Sequence, residues 1–237
     1  MRIAVLSDVH GNLEALDAVL DDIALEKVEA TVALGDFLSG PSNPLGVADR
    51  FIELGLAAVR GNHDRYITDG RDKDWHIDAL VRGMLDARQQ QWLASVPATL
   101  LLEEDVFLCH GTPRDDNTSF MDTMVGTIAT MHARDHIEAE AVGFDHDVLL
   151  CGHTHVPRSL RLADGRLVVN PGSVGLPFEI GSPDARYAII EKRRAGWNTE
   201  LRAVAYDHAA AAKQALERGY PAWAEALTSG WASPKGL

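Results

Sequence analysis

Two cysteines in 237 residues are too few for a disulfide framework, and no apolar run approaches the roughly 18 residues that a membrane span needs. A basic excess is missing as well. Lys and Arg number 22 against 35 Asp and Glu, a formal net charge of −13, which argues against a broad positive face for extended nucleic acid or anionic lipid. A local exception survives, because bound divalent cations would invert the field at a carboxylate-rich site. The opening Met-Arg-Ile-Ala-Val-Leu lacks a basic region followed by a long apolar core and reads as a strand, so a cytoplasmic protein is expected. There is no internal repeat or low-complexity tract.

What is present is ordinary for a globular chain: 46% hydrophobic and 24% charged residues. Since single domains run to about 250 residues, one domain spanning 1–237 is expected. Its alanine-rich helical tail, 205–237, should pack on the rest, because about 30 residues cannot bury a core of their own.

The apolar run 2–6 precedes Asn12, a good helix N-cap, and Leu13, Leu16, Val19, Leu20 and Ile23 follow at helical spacing. The pattern repeats: an apolar run at 30–34, a Gly/Pro/Ser/Asn loop at 39–44, a helical stretch carrying Val47, Phe51 and Leu54, and a run at 56–59. This α/β alternation predicts parallel strands with crossover helices. Ile77, Leu80, Val81, Met84 and Leu85 mark a further amphipathic helix, with Trp92 and Leu93 beyond it. Hairpins are expected over 99–109, 158–170 and 186–204, so the later strands read as antiparallel, α+β in part.

One arrangement occurs five times: an apolar run ends and Asp, Asn or His follows at once. The clusters are Asp8-Val9-His10-Gly11-Asn12, Gly35-Asp36, Gly61-Asn62-His63-Asp64, His110-Gly111 and Gly152-His153-Thr154-His155. In open α/β sheets ligands bind beyond the carboxyl ends of strands, so five such ends can converge. In an extended segment residues i and i+2 share a side, which would pair Asp8 with His10 and His153 with His155. Carboxylate, imidazole and amide donors without thiolate suit Mn²⁺, Fe, Co²⁺, Ni²⁺ or Zn²⁺. A structural zinc site closes four ligands, commonly with Cys, whereas Asp8, His10, Asp36, Asn62, His110, His153 and His155 suffice for two ions with positions open to water.

Asp-x-His, Gly-Asp, Gly-Asn-His-Asp, a lone His after a strand and Gly-His-x-His, in that order over the first three quarters of the chain, resemble the calcineurin-like metallophosphoesterase superfamily. Asn170-Pro171-Gly172-Ser173 resembles a further block of its small bacterial and archaeal phosphodiesterase branch. The resemblance implies a two-sheet β-sandwich flanked by helices and carrying the helical C-terminal tail. It also implies two divalent metal ions, with Mn²⁺ as the working choice. Asp8, His10 and His155 would bind one metal, Asn62, His110 and His153 the other, and Asp36 would bridge them. His63 would assist the leaving group or hold the phosphate, with Asp64 hydrogen-bonded to its other ring nitrogen. Two ions about 3.5–4 Å apart can clamp the attacking and leaving oxygens of an in-line displacement, with a bridging water as hydroxide near neutral pH.

The expected activity is hydrolysis of a small-molecule or nucleotide phosphate ester, most simply a diester. A dinucleoside-polyphosphate hydrolase or protein phosphatase is the alternative, but Gly35-Asp36-Phe37-Leu38-Ser39-Gly40 lacks the arginine of the protein-phosphatase block. A scaffold of the same fold is weighed against by the retained ligands and His63. Arg114 could reach a substrate phosphate with its planar fork, and Asn12 is read as a cap. Loops 39–46, 64–76 and 112–124 are expected to recognise the leaving group. Cys109 and Cys151 read as buried hydrophobes, and His76, His132, His136, His146 and His208 as surface residues. Partners are thus a small phosphorylated substrate, with no membrane or extended nucleic acid, and a homo-oligomer is left open.

Overall fold

The N-terminal apolar run forms β1 (Arg2–Leu6), and Asn12 caps α1 (Leu13–Leu25) by accepting from the Ala15 amide. The computed structural model describes residues 1–70, 76–125 and 128–231. The alternation continues through β2 (Ala30–Ala33), α2 (Pro44–Leu54) and β3 (Ala57–Ala58). Proline at the first turn and left-handed Gly55 at the C-cap delimit α2. β1, β2 and β3 pair in parallel. On the other side of β1 the antiparallel hairpin β11 (Ala185–Arg193) and β12 (Gly196–Val204) completes a five-stranded sheet, ordered β12-β11-β1-β2-β3.

The second five-stranded sheet is ordered β4-β5-β8-β10-β9, from β4 (Leu100–Leu102), β5 (Val106–Leu108), β8 (Val148–Leu150), β9 (Arg158–Arg161) and β10 (Leu167–Asn170). The hairpins β4–β5 and β9–β10 form as their turn signals predict. The expectation that the later strands are antiparallel fails in the centre, where β8 runs parallel to both β5 and β10. Apart from Asn170 at the end of β10, their sequences are apolar throughout, as strands covered on both faces require.

Side-chain alternation builds the layers. Ile3 and Val5 of β1 share a core with Val106, Leu108, Val148, Leu150, Leu167 and Val169 of the opposite sheet, whereas Ala4 and Leu6 face the layer of α1 and α2. Leu149 and Val168 turn outward onto α6 (Arg134–Glu140). The result is a β-sandwich with helices on its outer faces.

Three stretches depart from the sequence reading. Gly-Asn-His-Asp opens a helix, α3 (Asn62–Asp69), rather than a loop. The stretch after it divides into α4 (His76–Met84) and α5 (Ala87–Ser95), because Asp86 caps the second with a reciprocal bond from Gln89. β6 (Asp122–Val125) and β7 (Ile128–Met131) form a separate hairpin. Of the expected recognition loop 64–76, residues 71–75 lie outside the described ones, as do 232–237 of the expected tail. That tail is a helical hairpin, α7 (His208–Glu217) and α8 (Pro221–Ser229), with α7 against α1 and Trp223 buried among alanines. Among the described residues no helix is long and apolar enough to cross a membrane.

Candidate metal centre

β1, β2, β3, β5 and β8 are each followed by one of the five clusters, on loops or, after β3, at the start of α3, and these segments are stitched together by backbone. Asp8 N–H donates to Gly35 O at 2.9 Å, His10 N–H to Asp36 O at 3.0 Å, and Gly152 N–H to His110 O at 2.6 Å. Asn170 and Ser173 brace the same loops, Asn170 Nδ2 donating to Gly152 O and Ser173 Oγ to Asp8 O. Close approach explains two glycines. A Cβ at Gly35, where φ is +100°, would lie 2.3 Å from Gly61 N, and one at Gly61 would lie 2.1 Å from Asp36 Oδ1.

The expected pairing by extended i, i+2 geometry is not what aligns the side chains. Asp8, His10, Asp36, His153 and His155 all have positive φ, between 47° and 71°, so each donor turns off its strand in the left-handed region. The structure gathers Asp8, His10 and His155 into one group and Asp36, His110 and His153 into another, the donor atoms within each lying within 4.8 Å of one another. His153 and His155 thus belong to different groups. Asn62 Oδ1 joins the second, 3.2 Å from His110 Nε2 and 3.0 Å from His153 Nδ1. Asp36 Oδ2 sits between the groups, 3.1 Å from His110 Nε2 and 3.9 Å from His10 Nε2.

The donor set fits a cation. His10, His110 and His155 each donate Nδ1–H to a backbone carbonyl, of Ser39 at 2.7 Å, Leu34 at 2.6 Å and Leu176 at 2.6 Å. This fixes Nε2 as the inward atom. Burial and the neighbouring His155 push the His10 pKa down to about 3, so its Nε2 presents a lone pair. Yet that atom lies 3.0 Å from His155 Nε2. Two imidazoles that both donate through Nδ1 meet at this distance only with a proton or a cation between them. Asp8 Oδ1, also buried, accepts no hydrogen bond although His155 Nε2 is 3.4 Å away.

The buried carboxylates draw compensating positive charge from the groups around them. Although burial raises them, the Asp8 and Asp36 carboxyls are held below the usual range by surrounding histidines, Asp8 at about 2. His110, against burial, is raised to about 10, chiefly by Asp36. Burial lowers His153 to about 4.

Two expectations need correction. Asp64 does not touch the His63 ring: its carboxylate accepts from the backbone N–H of Asp36 at 2.7 Å, Phe37 at 3.0 Å and Gly61 at 2.9 Å. Burial and the Asp36 charge push it up to about 7 against those donors. Position N3 of α3 points it back at the helix start, away from the side chain of N2. The His63 ring instead meets Asp78 of α4, which reading along the motifs missed: Nδ1 lies 3.0 and 3.2 Å from its two carboxylate oxygens. Burial lowers the His63 pKa, but Asp36 and Asp78 outweigh it and the net shift is upward. A carboxylate inside the apolar stripe of Ile77 and Val81 was the available signal, since such a group needs a buried partner.

Arg114 is likewise engaged elsewhere. Its guanidinium donates to the carbonyls of Glu140 and Val142 at the C-terminal end of α6 and lies over the Phe144 ring, where free carbonyls and the helix dipole attract a cation. Asn12 caps α1 and also donates to Gly175 O and Tyr206 OH. Cys109 and Cys151 are buried and unpaired.

A model of the calcineurin-like phosphoesterase superfamily domain matches residues 1–194. The chain belongs to this superfamily. Phosphodiesterase YfcE of Escherichia coli strain K12 is 30% identical over 204 residues, covering 81% of this chain and 88% of its own length. An uncharacterized protein of Methanocaldococcus jannaschii is 27% identical over 246 residues, 93% of this chain and 94% of its own. A metallophosphoesterase from Sphaerobacter thermophilus superposes with a TM-score of 0.79 at 28% identity, over 98% of this chain and 99% of that one. As a member of the superfamily the protein is a hydrolase acting on phosphoester bonds. The superfamily match ends before α7, but the Sphaerobacter thermophilus structure, matched over 98% of this chain, extends into the helical tail.

Proposed function

We infer that the protein is a metal-dependent phosphodiesterase cleaving a small-molecule or nucleotide phosphate ester. The observation that carries this reading is the pair of donor groups meeting at Asp36, with the His63 ring at their edge, 5.6 Å from the His10 ring. Asp8, His10 and His155 would hold one divalent cation, Asn62, His110 and His153 a second, and Asp36 would serve both. Manganese is the working choice, as the N/O donor set accepts it alongside Fe, Co²⁺, Ni²⁺ and Zn²⁺. Bound there, the cations would polarise the phosphoryl oxygens and supply an activated water.

The protein's own contribution is positional. Buried carbonyls fix three imidazoles in one tautomer, and Asp36 Oδ1 accepts the His63 backbone N–H at 3.0 Å, tying the start of α3 to the metal ligands. His63 would protonate the departing oxygen, a role worth roughly 10²–10⁴-fold in rate. Similarity to a phosphodiesterase supports a diester substrate.

Metal analysis of the purified protein, with hydrolysis of nitrophenyl monoesters and diesters in added Mn²⁺, tests the reading. About two equivalents of metal and turnover of diesters are expected. Absence of both metal and turnover would overturn it.

A further inference from the structure

Resting on that reading of His63, we propose that Asp78 is its positioning residue, presenting the ring so that Nε2 is the atom that delivers the proton to the leaving group. Asp78 is 0% exposed, and a carboxylate taken wholly out of water costs several kcal/mol unless it is paired or hydrogen-bonded. α4 places it against His63 Nδ1, with Ser39 Oγ 3.2 Å from the same nitrogen. A neutral imidazole carries one N–H, and a carboxylate at Nδ1 takes it. The proton for transfer is then loaded on Nε2, while Asp36 holds the backbone of the same residue. Asp78 acts through His63 rather than on the substrate. It lies 15 positions after His63 and outside the five ligand clusters, so the orienting acid is supplied by the α4 region rather than by the acid adjacent to the histidine.

The test uses the full-length, manganese-loaded protein with Asp78→Asn, His63→Ala and the double variant, assayed on diesters with good and poor leaving groups. Asp78→Asn is expected to retain its metal and to lower kcat by about 10–100-fold on the poor leaving group, with a smaller loss on the nitrophenyl ester. In the His63→Ala background the same change is expected to alter kcat by about twofold or less, because the two residues act as one unit. ¹⁵N NMR of the unaltered protein loaded with diamagnetic Zn²⁺ gives a second readout that needs no variant to fold: a proton on His63 Nδ1. A fully additive double variant, or a bare Nδ1, would overturn the assignment. If His63→Ala lowers the rate and Asp78→Asn does not, only the role of Asp78 fails. If His63→Ala itself keeps full activity on the poor leaving group, the general-acid reading fails and takes this one with it.

Discussion

Asp8, His10, Asp36, His153 and His155 hold their donor atoms in place through left-handed backbone, a region that costs most residues about 1–2 kcal/mol and that Asp and His tolerate better than most. Site chemistry and backbone preference therefore select the same residue types. Asp36→Asn removes one negative charge from the position shared by both groups. It is expected to reduce bound metal, read by elemental analysis, and to lower kcat by about 100-fold or more. Asp64→Ala is expected to act through stability instead, since it strands three buried N–H groups at roughly 1–3 kcal/mol each before relaxation. Calorimetry should show a large fall in Tm. Arg114→Ala should leave KM for any ester within about twofold while costing about 1 kcal/mol of stability, because its guanidinium caps α6. A KM rise of tenfold or more would restore the phosphate-contact role.

The strands matter chiefly through where they end. β1, β2, β5 and β8 lie inside two facing sheets, with β3 at the edge of the first, and burial of the inner strands on both faces leaves the segments beyond their C-terminal ends as the place where polar side chains can collect. The helical tail braces one flank of this edge. The Trp223 ring lies 6.1 Å from that of His10, Ser42 Oγ donates to Ala211 O, and Tyr220 OH pairs with His76 Nδ1 at the start of α4. Trp223→Ala is expected to cost roughly 3–5 kcal/mol, seen as a Tm decrease of roughly 10 °C. A loss below about 1 kcal/mol would show that α8 is not part of the cooperative fold.

The molecule as a whole carries a net charge of −13, and among its carboxylates Asp8, Asp36, Asp64 and Asp78 are almost wholly buried around one edge, where negative charge is hardest to bear. Cations bound to the native state alone stabilise it by mass action, about 2.7 kcal/mol at a hundredfold excess over Kd. Chelation should therefore lower Tm by roughly 5–11 °C at this chain length, and restoring Mn²⁺ should recover it. An unchanged Tm on removal and return of the metal would contradict a native-state metal centre.

The ligand types, their order and the strand ends that carry them were legible along the chain, because a strand followed by a short polar turn is a local pattern. So were α1, α2 and the three hairpins, each marked by periodicity, a cap or a turn. Partnership across the fold was not. The parallel pairing of β8 with β5 and β10 and the exchange of Asp64 for Asp78 beside His63 depend on which loops meet in space, while the separation of His153 from His155 followed from the family resemblance and not from their spacing. Adjacency in sequence made Asp64 the obvious partner. The helix begun by Gly61 turned its carboxylate to the backbone, and α4 carried another to the ring. The five clusters thus fix that a polar, metal-binding edge exists, whereas the orientation of its histidines is decided by contacts between segments far apart in the chain.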